Sequence, residues 1–497
     1  MKKLKIRTFI AANWAWISIV VLAAAVRLLT LPKLLIFTPD EAYISYFVAS
    51  IVKDFHIIWI GVSILGFDFY MGPFWIYALY PFYALLNGDP MVMGVLTSLM
   101  GVTTVFLIYW LGGKMFNRKV GIIAALLYAT SALVIFYDQR PYPPGVPMWL
   151  MLMTLSLFMT QKSNKWWIVF AFLAGMVFHI HLSLGLMILV GAYWAYLRRK
   201  SLNKKILLIS ALTFIVTISP LIAFDYFHKG SNVTAPIRVL KLARGGEFNL
   251  NFETRLNSLL GGLSRMWYLD HGNANADEIL YPCNTRGSNS TTGPVLLLST
   301  LTLVIYASFL FAKKTWRDEN RKLLALASLA IVIPFLFLPI FNPVEYYLLG
   351  LFPILFLIVG VFVGSLGGRV RGFAIILLIA AALNGVFTAF NANGDYGMLA
   401  RKRLIARVGQ IIGDETFELK TTGGACTGGW RYLFLSYYKK PLRSTEDESF
   451  AWLYPDEVSN KQADYTVGVK ETRLPASDFE GEYLIQEGGF SAWVKRN

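Results

Sequence analysis

Residues 13–31 read NWAWISIVVLAAAVRLLTL and follow the basic N-terminal stretch Met1–Arg7. A helix that crosses a bilayer needs about 20 predominantly apolar residues, whereas the apolar part of a signal peptide has about 7–15. The run has the longer length, and no small-residue cleavage site follows it. We therefore predict that it forms a retained first transmembrane helix.

Similar apolar runs recur as far as residue 390, and the chain of 497 residues is 56% hydrophobic and 15% charged. Soluble proteins contain about 25% charged residues, so the composition excludes soluble enzymes and DNA-binding proteins as interpretations of the whole chain. An all-α polytopic membrane protein with about eleven spans is predicted. The spans are placed at residues 13–31, 91–111, 120–137, 142–160, 165–179, 182–197, 205–224, 294–312, 322–340, 346–364 and 371–390.

The net charge of +16 comes from 46 Lys and Arg residues against 30 Asp and Glu residues. If the N-terminus is cytoplasmic, 21 of the basic residues fall in the N-terminal stretch and in alternate short connections, opposed only by Asp318 and Glu319. This is the positive-inside pattern of integral membrane proteins. The excess charge therefore predicts a plasma-membrane orientation with the C-terminal part outside, and it does not indicate nucleic-acid binding.

The predicted outer side holds most of the chain that lies outside the spans, in the loops 32–90 and 225–293 and in the tail from about Asn391. Residues Gly72–Leu86 are apolar but short and contain Pro73 and Pro81, so we predict an interfacial or re-entrant helix there. The domains are accordingly a membrane domain, 1–390, and an extracytoplasmic domain, 391–497.

The composition of the tail becomes rich in glycine and charged residues, which predicts a small C-terminal α/β domain. We expect helices at Met398–Ile412 and Trp430–Tyr438, strands at Phe417–Thr421 and Tyr465–Lys470, and a hairpin at Glu482–Arg496 that turns at Glu487-Gly-Gly.

Two adjacent carboxylates open the first outer loop, in Thr38-Pro-Asp-Glu-Ala-Tyr43. Asp and Glu are common in the first turn of a helix, where they cap free N–H groups and complement the helix dipole. A carboxylate at the membrane boundary can also act as general base for an acceptor hydroxyl. The motif by itself is compatible with either role.

The order of elements around this motif resembles the lipid-linked glycosyltransferases of the GT-C type. The resemblance continues over residues 1–200, through Asp68-Phe-Tyr-Met-Gly-Pro-Phe-Trp-Ile-Tyr77, Asn87-Gly-Asp-Pro90, Gly112-Gly-Lys-Met-Phe-Asn-Arg-Lys-Val-Gly121 and Phe136-Tyr-Asp-Gln-Arg-Pro-Tyr142. More narrowly, the chain looks like bacterial relatives of dolichyl-phosphate-mannose protein mannosyltransferases and aminoarabinose transferases, glycosyltransferase family 39. One proline stands at Pro73 where the family usually has a pair.

The resemblance implies roles for particular residues. Asp40 matches the expected catalytic base of the first loop, with Glu41 as its usual neighbour, and Asp138 matches the acidic position of the second outer loop. Arg140, two residues later, is the basic group expected near the sugar-phosphate. A departing phosphate needs positive charge or a metal ion, which agrees with that assignment.

Further candidates for substrate binding lie at predicted outer boundaries: Asp68, His179, His181, Glu345 and Tyr346. The two histidines could join a carboxylate at a divalent metal or act as plain hydrogen-bonding groups, so no metal or other cofactor is assigned. Glu345 and Tyr346 match a late outer loop of the family, although tyrosines also anchor helices at lipid headgroups.

Arg27 lies within the first span, about one turn from its outer end, and we expect its side chain to reach the interface. Cys283 and Cys426 both fall outside in the predicted topology, which permits a disulfide between them.

The predicted function is transfer of a sugar from a polyprenyl-phosphate donor to a hydroxyl of a lipid, glycan or protein acceptor outside the membrane, with inversion at the anomeric carbon implied by the resemblance. A transporter or flippase is the main alternative, and it predicts charged residues and broken helices near the membrane centre. A receptor or scaffold anchored by the membrane part is a further alternative.

Overall fold

The computed structural model describes residues 2–63, 69–244, 252–269, 295–338, 345–421, 428–472 and 481–497. In chain order, the described helices and strands are α1 (Lys2–Leu34), α2 (Pro39–Lys53), α3 (Phe74–Leu85), α4 (Met91–Met115), α5 (Arg118–Thr130), α6 (Ala132–Asp138), α7 (Val146–Met159), α8 (Trp166–Ile180), α9 (Leu186–Leu197), α10 (Lys204–Phe227), α11 (Ser231–Arg244), α12 (Phe252–Arg265), α13 (Leu296–Phe311), α14 (Lys313–Arg317), α15 (Glu319–Phe337), α16 (Leu351–Ser365), α17 (Gly368–Asn391), α18 (Met398–Ile412), β1 (Phe417–Thr421), α19 (Trp430–Tyr437), α20 (Asp447–Phe450), β2 (Tyr465–Glu471), β3 (Tyr483–Glu487) and β4 (Phe490–Arg496).

The apolar helices make this an integral membrane protein. Within the described residues, five helices are long and apolar enough to cross a bilayer, namely Asn13–Leu34 of α1, α4, α10, α15 and α17. The bent pair α5–α6 qualifies as a sixth if it is one span, and the shorter apolar helices are α3, α7, α8, Leu182–Leu197, α13 and α16. Each predicted span falls on one of these segments, while the number of spans and their orientation stay predictions.

Helix α3 contains 12 residues, which gives it a length of about 18 Å against a hydrocarbon core of about 30 Å. It packs against α2, α4 and α8. Its length is that of the interfacial or re-entrant helix predicted for this stretch.

Helices α4 and α5 pack closely because glycines face each other across their contact. A Cβ atom on Gly121 would lie 2.4 Å from the carbonyl oxygen of Tyr109, and one on Gly112 would lie 2.9 Å from the Cα atom of Gly121. Close approach of backbones through small residues replaces the hydrophobic driving force that is missing between helices in lipid.

A break at Ser131 separates α5 from α6, and the two helices meet at 70°. The break leaves the carbonyl groups of the last turn of α5 without helical partners, and Arg27 binds them: its Nη1 donates to Ala129 O at 3.0 Å and its Nη2 to Tyr128 O at 3.3 Å. An unpaired carbonyl within a bilayer is costly. Arg27 therefore stabilises the bent pair.

The same guanidinium forms a buried ion pair with Asp138 at the end of α6. Arg27 Nη2 lies 2.8 Å and Nε 2.9 Å from Asp138 Oδ2, and the hydroxyl of Tyr128 donates to Asp138 Oδ1 at 3.1 Å. Arg27 is 0% exposed. The expectation that Arg27 extends to the interface was wrong, because an acid from another helix neutralises it inside the protein.

The C-terminal segment forms a four-stranded sheet in the order β1-β2-β4-β3, with β1 and β2 parallel and the other neighbouring pairs antiparallel. Strands β3 and β4 form the expected hairpin, in which Gly488 adopts a positive φ of 56°. The predicted small α/β arrangement is confirmed at the level of these elements.

This C-terminal segment packs on the connection between α1 and α2. The N–H of Met398 donates to Leu35 O at 2.9 Å, and the ring of Tyr46 on α2 lies 5.1 Å from the ring of Tyr432 and 4.6 Å from that of Tyr454. A Cβ atom on Gly428 would lie 2.2 Å from Pro39. The start of α2 is therefore held from both the membrane part and the tail.

Candidate active site

The first turn of α2 is fixed by its own side chains. Thr38 is the N-cap, its side chain accepts a hydrogen bond from the N–H of Asp40, and the carboxylate of Glu41 accepts one from the N–H of Thr38 at 2.8 Å. Pro39 occupies the first helical position, where its missing N–H costs nothing. This capping box sets where each carboxylate points.

The two adjacent acids have different surroundings. Glu41 is buried, and it is also bound by the hydroxyl of Thr38. Burial, together with the charge of Asp40, raises the pKa of Glu41 to about 7, although Arg140 opposes the shift. Asp40 is only half-buried. Glu41 therefore has a helix-capping role, whereas the side chain of Asp40 is partly exposed.

Arg140 is the basic group beside these acids. It follows α6 in the chain, is half-buried, and acts electrostatically on Glu41 and on Tyr346. Within the described part of the chain, no ion pair or hydrogen bond occupies its guanidinium. A cation placed in this way can receive the negative charge of a bound phosphate.

Aromatic rings form another part of this group. The rings of Tyr346 and Tyr347 lie 4.3 Å apart, and the His181 ring lies 5.8 Å and 5.5 Å from them. Asp40 and Tyr347 both act electrostatically on the hydroxyl of Tyr142. Four predicted site residues are thus brought together here: Asp40, Arg140, His181 and Tyr346.

Glu345 joins this group through an ion pair with Arg265 of α12. Arg265 Nη2 lies 3.0 Å from Glu345 Oε2, and both side chains are nearly buried. The hydroxyl of Tyr137 also bonds to Glu345. The pair holds the turn that carries Tyr346 against α12. Glu345 therefore has a positioning role.

The model of the family "Dolichyl-phosphate-mannose-protein mannosyltransferase" matches residues 71–224. Among solved structures, ArnT from Cupriavidus metallidurans in the apo state is similar over 97% of this chain and 98% of its own, with a TM-score of 0.60 and 13% identity. The chain has the GT-C fold. The same ArnT bound to undecaprenyl phosphate gives a TM-score of 0.57 at 13% identity, over 97% of this chain and 98% of that one.

A second GT-C structure, the Archaeoglobus fulgidus oligosaccharyltransferase in the apo form, has a TM-score of 0.51 and 13% identity over 92% of this chain and 69% of its own. A comparison with curated protein sequences finds no match. The predicted resemblance to GT-C proteins is confirmed at the level of the fold, and the family model covers one part of the chain.

Within this GT-C fold, Asp138 lies apart from the group around Asp40. Its two oxygens bind Arg27 and Tyr128, and its side chain is 3% exposed. A Cβ atom on Gly101 would lie 2.4 Å from Asp138 Oδ2, so α4 closes the remaining side. The structure does not bring Asp138 to Asp40 as a second catalytic acid, because an internal ion pair occupies it.

The two histidines have different hydrogen-bond partners. His179 Nε2 lies 2.8 Å from the carbonyl oxygen of Thr217, whereas His181 Nδ1 lies 2.8 Å from the hydroxyl of Ser183. Among the residues that the structure describes, no three His, Cys, Asp or Glu side chains are grouped as metal ligands. Asp68, Cys283 and Cys426 lie outside the described residues.

His179 lines an apolar groove of about 560 Å³ between α3, α8 and α10. Its walls are formed by Pro73, Phe74, Tyr77, Phe172, Met176, Ile209, Leu212, Thr213, Val216, Thr217 and Pro220. His179 therefore belongs to this groove and not to the group around Asp40.

Sequence reasoning missed Tyr142, Tyr347 and the role of Arg265. Tyr142 and Tyr347 each lie within two residues of a predicted site residue, so proximity was the available signal. Arg265 was one of several basic residues in the 225–293 loop. Only its contact with Glu345 distinguishes it from the others, and that contact spans 80 residues of sequence.

Proposed function

We propose that this protein is a membrane glycosyltransferase that takes a sugar from a polyprenyl-phosphate donor and transfers it to an acceptor hydroxyl at the outer face. The observation that carries the proposal is the half-buried Asp40 at the capped start of α2, which lies near Arg140, a guanidinium with no ion pair or hydrogen bond to the described residues. The GT-C fold supports it, and so does the undecaprenyl phosphate bound by the similar ArnT.

In the proposed reaction, the acceptor oxygen attacks the anomeric carbon while Asp40 takes the hydroxyl proton as general base. The bond from the anomeric carbon to the phosphate oxygen breaks, and polyprenyl phosphate leaves with the electron pair. Arg140 balances the charge that develops on the phosphate. A single displacement of this kind inverts the anomeric configuration.

The remaining residues position these groups. Glu41 fixes the first turn of α2 through Thr38, and the pair of Arg265 and Glu345 supports the turn that carries Tyr346. We propose the apolar groove beside His179 as the place for the isoprenoid chain, because its walls are almost entirely apolar and open between helices. No step is assigned to a metal ion.

The transporter alternative predicted broken helices and charges inside the membrane, and the α5–α6 break with Arg27 and Asp138 has that form. However, the charges there are bound to each other and to backbone carbonyls, so they support the bend. The half-buried Asp40 at the start of α2 and the half-buried Arg140 after α6 both act electrostatically on Glu41, and this grouping of an acid and a cation favours the enzyme.

The test is release of polyprenyl phosphate and formation of glycosylated product by the protein in nanodiscs, supplied with polyprenyl-phosphate sugars. Asp40→Asn is expected to lower kcat by about 10²–10⁴-fold, the usual contribution of a general base, with unchanged thermal stability. The matched control is Asp54→Asn at the opposite end of α2, where the side chain is exposed. Wild-type activity in Asp40→Asn would remove Asp40 from the mechanism.

A further inference from the structure

A row of aromatic side chains extends from Asp40 along one face of α2. Tyr43 and Phe47 follow Asp40 at spacings of three and seven residues, which places all three on one side of the helix. Their rings meet edge to face at 4.7 Å. At a rise of 1.5 Å per residue, Phe47 lies about 10 Å along the axis from Asp40.

Trp452 of the C-terminal segment completes this row. It lies in the short turn Ala451–Leu453, and its ring is 6.1 Å from Tyr43 and 5.8 Å from Phe47. Its indole N–H donates to the carbonyl of Ser449 at 3.1 Å, which fixes the orientation of the ring. Trp452 is nevertheless 60% exposed, so the ring is held in place and remains accessible.

The charges around this turn indicate what can bind there. Glu448 and Asp456 are exposed on either side of Trp452, and Glu457 forms a weak ion pair with Lys53 of α2 at 3.8 Å. Bilayer surfaces rich in anionic lipid attract basic segments, so an acidic turn does not suit contact with such headgroups. A neutral or amino-bearing ligand fits the local charge.

We propose that Tyr43 and Trp452, which pack against the buried ring of Phe47, form an acceptor subsite for a neutral or amino-sugar chain. The C–H groups on the face of a sugar ring carry slight positive charge and pack against the negative face of an aromatic ring. The row begins one helical turn from Asp40, so a chain bound along it presents its end hydroxyl to that carboxylate. This inference rests on the proposed function and names the acceptor class for it.

The experiment measures saccharide binding to the full-length protein in nanodiscs without any donor, by isothermal titration. The probes are tetrasaccharides of glucose, mannose, galactose and N-acetylglucosamine, and the deacetylated glucosamine tetramer. At least one is expected to bind saturably to wild type, with Kd raised about tenfold or more by Trp452→Ala. Trp452→Phe keeps a ring and is expected to lose less affinity.

The matched control is Trp316→Ala, because Trp316 is also exposed, at 40%, and also donates its indole N–H to a backbone carbonyl. Its binding should equal that of wild type. The inference is overturned if no probe binds to wild type, or if Trp452→Ala binds as well as wild type, which is the result expected of a residue that contacts only lipid.

These results are separate from the test of the proposed function. Failure of every saccharide to bind would leave cleavage of the polyprenyl-phosphate donor unaffected and would remove only the subsite. Absence of donor cleavage in wild type would remove the proposed function, while the binding titration would still report on the aromatic row.

Discussion

Two acids at the ends of short connections, Asp40 and Asp138, have opposite surroundings in this molecule. Asp40 lies half-buried at the start of α2, where the capping is done by its neighbours. Asp138 lies at the end of α6 with both oxygens bound by Arg27 and Tyr128. Position at a membrane boundary therefore does not by itself assign a catalytic role, because a carboxylate that is buried and bound within the protein, as Asp138 is, is not accessible to a substrate.

The largest expected effect on stability comes from replacing Asp138, the acid whose two oxygens are both bound within the protein. Asp138→Ala leaves the Arg27 guanidinium buried without its counter-charge, and breaking a buried ion pair in this way costs about 3–5 kcal/mol. We expect a corresponding loss in the free energy of unfolding, measured by reversible unfolding in mixed micelles.

Asp40→Ala is the matched variant for that measurement. It removes a carboxylate of the same size from a half-buried site, so a loss below about 1 kcal/mol is expected. Equal losses for the two variants would show that Asp138 and Asp40 do not differ in their contribution to folding.

The second effect is the pH dependence of stability that Glu41 contributes. The pKa of Glu41 is raised from 4.5 to about 7 by burial and by Asp40, so the folded state binds this proton more tightly than the unfolded state does. The contribution to the free energy of unfolding therefore falls as the pH rises from about 4.5 to about 7, by up to about 3 kcal/mol.

Glu41→Gln should remove this part of the pH dependence while it keeps the capping box, since Gln serves at the same position. Glu446 also has a pKa raised to about 7 by burial, and Glu446→Gln is the control that removes the other contribution in this window. Unfolding curves at pH 5 and pH 8 check both. An unchanged pH slope in Glu41→Gln would show that Glu41 does not titrate in this range.

The smallest effect concerns the cap itself. Thr38→Ala removes the side-chain acceptor for the first turn of α2 and the hydroxyl bound to Glu41, which costs about 0.5–2 kcal/mol. Since the cap orients Asp40, we also expect kcat to fall more than KM changes. Thr38→Ser, which retains the hydroxyl, should behave as wild type in both measurements, and a silent Thr38→Ala would show that the cap does not orient Asp40.

Local patterns in the sequence predicted much of the fold. The helix Met398–Ile412 and the strand Phe417–Thr421 have the predicted bounds, because their periodicity and their flanking glycines and turns are local signals. The apolar runs likewise became helices. The break at Ser131 was not predicted, because the groups that stabilise it come from α1 and from the loop after α12: Ser131 Oγ donates to Met266 O at 2.8 Å.

The sequence by itself determined that this protein resides in a membrane, that a small α/β segment follows, and that Asp40 and Glu41 begin a helix, since hydropathy and capping act over short stretches of chain. Only the tertiary structure decided that Asp138 forms an ion pair with Arg27 and that the ring of Trp452 packs near that of Tyr43. It also decided that His179 and His181 have different hydrogen-bond partners. These outcomes depend on residues up to several hundred positions apart, whose meeting is set by packing and by the cost of leaving buried charges and carbonyls unpaired.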